Sequence, residues 1–264
     1  MFGEEFSITA RDLMTTDIYY LPSECTVQDA LDDLREKKFN AAPVEAETSP
    51  YQYIRRDELA ELTRDGCGTD SLKHHASRID LGNLVSPDAD FEELIELLER
   101  EMIYFIGWDD ELEGIITRAD LNKLPAHTYL YSKINRVETY LRDVIHETTS
   151  ENTIDEYSED ARKDYEKDGD ADLQLRLIDY TTFGDLKDIT WNHDPVPKQL
   201  PFETQDDAVR ILSDIKDLRN DVAHHGNVID IMEIDQSTNS RDIIDLCRIY
   251  EEMKRLMTAE NSNV

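Results

Sequence analysis

Residues 102–120, MIYFIGWDDELEGIITRAD, hold the pattern from which the first half of the chain is read. Met102 to Trp108 and Gly114 to Thr117 read as a strand pair, and the acidic DDELE between them is the turn a hairpin needs. Just upstream, Phe91, Leu94, Ile95 and Leu98 fall on one helix face behind Asp90, and LGNLVSPDAD precedes that helix. The same order recurs earlier as ARDLMTTDIYYLP, CTVQDALDDLREKKF, AAPVEA and YQYIRRDELAEL. In that copy Val27, Ala30, Leu31 and Leu34 share a face, with Thr26 and Asp29 placed as a capping box. Each copy therefore runs segment, helix, strand, strand, helix, an internal repeat over residues 1–124. RDGCGTDSLKHHASR between the copies has two glycines and little apolar content, and reads as a loop.

These segments resemble a tandem pair of CBS modules, a β-α-β-β-α unit that usually occurs in twos, through ARDLMT, KFNAAPV and above all GIITRAD. The resemblance implies an α/β ligand-sensing domain. The family's G-h-x-T/S-x-x-D motif binds the ribose and phosphates of an adenine nucleotide, which here implies ATP, ADP, AMP or S-adenosylmethionine at Gly114, Thr117 and Asp120. The chemistry is sensible on its own terms. Gly114 lets backbone approach a ligand, Thr117 offers a hydroxyl where helix N-terminal amides favour phosphate, and Asp120 can accept ribose hydroxyls. The alternative is that Gly114 ends a turn while Thr117 and Asp120 cap the helix. In the first copy, aligning Asp57 with Asp120 puts Ile54 where the Thr should stand and Tyr51 where the Gly should stand, so at most one site of the pair is intact.

Pro125 is expected to end the last helix of that half, and residues 125–264 read as helical. Tyr131, Ile134, Val137, Leu141, Val144 and Ile145 recur at spacings of three and four. The charged stretch TTSENTIDEYSEDARKDYEKDGD reads as a polar helix or loop. LQLRLIDYTTFGDLKDITW, a Pro-containing link and a long helix from about Gln205 follow, with Gly226 expected at C′ of that helix. RDIIDLCRIYEEMKRLM is the last helix. The fold class is therefore α+β and multidomain, an α/β pair over 1–124 followed by an all-α antiparallel bundle over 125–264.

Near the end of the long helix stands RNDVAHH, with Arg219, Asn220, His224 and His225. Together with VETYLRDVI in an earlier helix and TTFGDL ahead of the motif, it resembles a HEPN domain, whose signature is R-x(4–6)-H with a polar residue after the Arg. That resemblance implies a metal-independent endoribonuclease acting as a homodimer on RNA, with Arg219 steadying the phosphate, Asn220 orienting the site and His224 handling the proton. These groups suit the task. An RNA 2′-hydroxyl is an internal nucleophile, an imidazole with a pKa of about 6.5 can take its proton, and a guanidinium binds two phosphoryl oxygens. No metal-ligand spacing stands out. On one continuous helix, residues five apart point about 140° away from each other. Convergence therefore needs the helix to end between Arg219 and His224, or a second subunit to share the cleft. The structural alternative is that the histidines complement the helix dipole and Arg219 pairs with a nearby acid. His74, His75, His127, His146 and His193 read as structural.

Sixty Asp and Glu oppose 28 Lys and Arg, a formal charge of −32 spread over both halves. Such self-repulsion is relieved where salt shortens the screening length to about 3 Å at about 1 M, so the surface reads as adaptation to a salty cytoplasm such as a halophilic archaeon's. No apolar run is long enough for a membrane span, the N-terminus has no apolar signal region, and Cys25, Cys67 and Cys247 show no paired spacing. A cytoplasmic protein is expected. Two functions stay open: a nucleotide-regulated ribonuclease, or a non-catalytic regulatory module whose bundle serves dimerisation or partner binding. The lack of a basic cluster around Arg219 argues for the second.

Overall fold

Thr26 starts the first long helix by accepting a hydrogen bond from the Asp29 amide at 3.1 Å, and it donates its own hydroxyl to the Asp29 carboxylate at 2.8 Å. The computed structural model describes residues 6–45, 51–108, 111–168, 175–224, 226–230 and 241–262. The chain divides into two compact units, Ser7–Lys123 and Leu124–Val264 with Met1–Phe6.

In the first unit a short helix α1 (Ala10–Leu13) leads into α2 (Val27–Lys37), strands β1 (Ala41–Val44) and β2 (Gln52–Arg55), α3 (Arg56–Arg64) and β3 (Ser77–Arg78). The second copy follows as β4 (Leu84–Val85), α4 (Phe91–Arg100), β5 (Ile103–Trp108) and β6 (Glu111–Thr117). Two three-stranded sheets result, ordered β1-β2-β3 and β4-β5-β6. The leading strand of the repeat is β4 in the second copy, parallel to β5, and only a parallel bridge from Leu21 to Val44 in the first. Both helix stripes are buried as their spacing demands: Val27, Ala30, Leu31 and Leu34 on α2, and Phe91, Leu94, Ile95 and Leu98 on α4. Apart from Ala30, each of these side chains contributes roughly 1.5–3 kcal/mol on burial. Ala41, Ile103 and Phe105 form a seam between the sheets, where the Tyr53 and Phe105 rings meet edge to face at 5.1 Å.

The β5–β6 register slips between Ile106 and Gly107, and a Cβ on Gly107 would lie 2.0 Å from the Glu111 carbonyl oxygen. Only glycine fits this bulge. Strand β6 already begins at Glu111, so Glu111, Leu112 and Glu113 of the expected DDELE turn are strand, and Asp109 and Asp110 lie outside the described residues. The loop between the copies is partly ordered into a 3-10 turn at Leu72–His74 and into β3, because Leu72 is fully buried and anchors it. After β6 the repeat's closing helix is only a 3-10 turn, Arg118–Asn122.

The second unit holds α5 (Leu124–Thr148), α6 (Glu151–Tyr157), α7 (Glu159–Asp168), α8 (Phe183–Asn192), α9 (Gln205–Ala223) and α10 (Ile243–Ser262), with no strand among the described residues. α5 packs against α8, α9 and α10, and α9 against α8 and α10. The Tyr129 and Tyr250 hydroxyls meet at 2.8 Å inside it. Three expectations change here, and for the charged stretch, read as a polar helix or loop, the outcome is helix. Pro125 stands in the first turn of α5 and does not end a helix, since a first-turn proline gives up an amide that has no partner anyway. Tyr131 is exposed, and Tyr129 and Leu130 take its place on the buried face. The charged stretch forms α6 and α7, held by buried Ile154 and Ala161 and by Arg162, whose guanidinium reaches Asp155 at 2.7 Å and Glu151 at 3.1 Å. Gly226 is not the C′ residue. α9 ends at Ala223 with His224 as C-cap, so Gly226 is C″ and its amide bonds the Asp221 carbonyl at 2.7 Å, six residues closing on one.

Candidate functional site

The three residues of GIITRAD singled out above stand where β6 turns into its 3-10 helix. Gly114 is buried, and a Cβ there would meet the Met14 sulfur at 2.6 Å, so the glycine makes room for the thioether of the opening segment. Thr117 donates its backbone amide to Asp120 Oδ2 at 2.6 Å and its hydroxyl to the same oxygen at 2.9 Å. Asp120 Oδ1 accepts from the Thr15 hydroxyl at 3.2 Å and pairs with Lys123 Nζ at 2.6 Å. Lys123 also donates to the Leu13 carbonyl at 2.6 Å and to Thr15 Oγ1 at 3.1 Å. The Asp120 side chain is 7% exposed and that of Lys123 39%. Thr15 and Lys123 were not apparent from the sequence. The bridge between Thr15 and Ile115 explains why: it brings a residue 105 positions away in the chain to Asp120.

The first copy is offset by one residue from the alignment made on sequence. Arg55 pairs with Ala41 at the end of β2, as Thr117 pairs with Ile103 at the end of β6. Arg55 is also the N-cap of α3, and its amide donates to Glu58 Oε2 at 3.3 Å. Arg55 and Glu58, and not Ile54 and Asp57, therefore stand where the second copy has Thr117 and Asp120. The Arg55 guanidinium forks onto Asp57 at 3.1 and 2.8 Å and reaches Glu101 at 3.5 Å. Its hydrogen bonds hold the Asp57 carboxyl below the usual carboxylate range. Elsewhere in the first unit, the Tyr19 phenol donates to Asp33, which pushes its pKa up to about 12.

In the helical unit, Arg219 and Asn220 lie within α9 and His224 is the first residue past it. The helix thus ends at Ala223, four residues after Arg219 and directly before His224, which stands as its C-cap. Arg219 Nη1 touches Asn220 Oδ1 at 3.4 Å, while Arg219 Nε is buried without a hydrogen-bond partner. Among the described residues Arg219 forms no ion pair, so the pairing with a nearby acid does not occur there. Lys216, one turn earlier, approaches Gly184 at the start of α8, 3.7 Å from where a Cβ would be. His224 is exposed, and His225 lies outside the described residues. Of the remaining histidines, His75 meets Asp70 at 3.2 Å and His127 is buried in α5.

The sheet and helix order, repeated twice across a shared apolar seam, defines a class of paired β-α-β-β-α modules. Residues 10–61 and 84–127 match the CBS domain, so the chain carries a tandem CBS domain. Among solved structures it is similar to the acetoin utilization protein AcuB of Vibrio cholerae, at 18% identity and a TM-score of 0.39 over 44% of this chain and 88% of that one. It is similar to CBSX2 in complex with AMP at 22% identity and a TM-score of 0.37, over 43% and 92%. A third is the CBS domain of a bacterial CNNM/CorC family Mg2+ transporter in complex with ATP, at 17% identity and a TM-score of 0.36, over 43% and 83%. No curated protein matches the chain. No helix among the described residues is long and apolar enough to cross a membrane.

Proposed function

We propose that the chain is a regulatory protein whose tandem CBS unit senses an adenine nucleotide through its second copy, with the helical unit serving dimerisation or partner binding. The observation that carries this reading is the asymmetry of the two strand ends. The second copy presents a hydroxyl and a carboxylate, Thr117 and Asp120, and the first presents Arg55 and Glu58 in a cluster of their own. A carboxylate with a hydroxyl beside it suits a ribose diol and its phosphate. An arginine already forked onto Asp57 does not. One nucleotide per chain is therefore expected. Isothermal titration of the full chain with AMP, ADP, ATP and S-adenosylmethionine tests it. Binding of one equivalent, lost in Thr117→Val, supports the reading, and no heat with any of the four sinks it.

A second reading has its own observation. Arg219 stays out of every ion pair among the described residues in a chain with more than twice as many acids as bases, and its Nε is buried and unmatched. Unused cationic donors on α9, with Lys216 beside Arg219, suit an anion such as an RNA phosphate. In this reading the helical unit is a HEPN-type, metal-independent endoribonuclease, with Arg219, Asn220 and His224 completed by those of a second copy in a homodimer. The test is cleavage of a mixed RNA pool in EDTA at high salt, comparing the parent with His224→Ala. Loss of cleavage in the variant supports the enzyme, and an intact pool with the folded parent removes it.

A further inference from the structure

Asp120 enters the sensing site already saturated. A carboxylate offers about four acceptor positions, and four donors fill them here: the Thr117 amide and hydroxyl on Oδ2, and the Thr15 hydroxyl and Lys123 ammonium on Oδ1. Two ribose hydroxyls can be accepted only if donors leave. The Thr117 amide is fixed by the strand end, and its hydroxyl sits on the same residue. The Thr15 hydroxyl, the longest contact at 3.2 Å, can turn aside but stays on a segment bridged to Ile115 and carries no charge to hand on. Lys123 differs from all three. It sits on a flexible four-carbon stem, its side chain is 39% exposed against 7% for Asp120, and it can leave without moving backbone, giving up its bonds to the Leu13 carbonyl and the Thr15 hydroxyl for water or a new anion.

Displacement leaves that ammonium without its carboxylate. A ligand that brings negative charge restores a partner, and a neutral one does not. We propose that Lys123 is the exchange residue of this site: its ammonium holds Asp120 while the site is empty, and passes to the ligand's phosphate when ribose takes the carboxylate. The inference rests on the nucleotide-sensing reading and narrows it, because it selects a phosphorylated adenosine over adenosine itself or S-adenosylmethionine. Lys123 is the last residue of its unit and directly precedes Leu124, the first residue of α5.

The test is isothermal titration of the full chain with adenosine and with AMP, for the parent and for Lys123→Met, which keeps the stem and removes the charge. The parent should prefer AMP by about tenfold or more, the scale of one charge-assisted contact. Lys123→Met should bind adenosine more tightly than the parent does and should show no preference for AMP. Lys123→Arg should keep the preference, and Lys123→Gln should lose it even if the Met variant does not fold. A neutral variant that retains the parent's AMP-to-adenosine ratio overturns the exchange while leaving nucleotide sensing in place. A parent that binds neither ligand overturns the sensing reading and the exchange with it.

Discussion

Replacing Asp120 by alanine separates what this carboxylate does for the fold from what it does for a ligand. Three contributions are lost. The Thr117 amide, which donates at 2.6 Å, becomes an unpaired donor at a strand end, costing about 1–3 kcal/mol. The Thr117 hydroxyl loses its acceptor as well, at about 0.5–1.5 kcal/mol since it can turn to water. The pair with Lys123 adds little, about 0–1 kcal/mol, because that ammonium is 39% exposed, hydrates readily and keeps its bonds to Leu13 and Thr15. The expected sum is about 3 kcal/mol, before any ligand is present. For a domain of this size, 1 kcal/mol moves Tm by roughly 4 °C, so calorimetry of the ligand-free chain should show the CBS transition falling by roughly 12 °C. A loss under about 0.5 kcal/mol, the scale of an ordinary surface change, would refute the reasoning and show Asp120 to be dispensable to the fold.

Gly107→Ala forces a Cβ to within 2.0 Å of the Glu111 carbonyl and should cost about 3 kcal/mol or more in urea unfolding, whereas Gly68→Ala, whose Cβ has nothing nearer than 3.8 Å, should cost far less. Burial raises the Asp179 carboxyl, but the Arg176 fork at 2.8 and 3.2 Å outweighs it and holds the group below its ordinary value. Its contribution to stability is thus present above the unfolded carboxylate pKa of about 3.9 and fades as pH falls through the lower folded value. Arg176→Met should shift the acid-unfolding midpoint to higher pH, as followed by circular dichroism. With a formal charge of −32, thermal unfolding should occur at higher temperature in 2 M than in 0.1 M NaCl, values set at about one screening length of 2 and 10 Å; an unchanged Tm removes the salt-adaptation reading.

Periodicity made the repeat legible, because α2 and α4 bury the residues their spacing marks and their Thr26 and Asp90 caps close on the expected amides. Contacts across long stretches of chain were not legible. Nothing local says that Thr15 meets Asp120 or that Met14 fills the space over Gly114. The first copy misled by one residue because its acids are adjacent: Asp57 and Glu58 both fit a capping position, and only the pairing of Arg55 with Ala41 decides between them. Pro125 misled for a similar reason, since proline both stops helices and opens them, and the outcome depends on which side the chain is packed. At α9 the motif was readable, but where the helix stops depended on Gly226 bonding back to Asp221, a closure that one residue's shift conceals.

The fastening of α6 and α7 by Arg162 gives ionic strength two opposed effects in one molecule. Dissolved ions quiet the mutual repulsion of sixty carboxylates and firm the chain as a whole. The same ions weaken the attraction between the guanidinium on α7 and two acids of the neighbouring α6, helices that otherwise bury little. As brine becomes more concentrated, this segment becomes the softest part of an increasingly rigid protein, and the first place where a protease should cut.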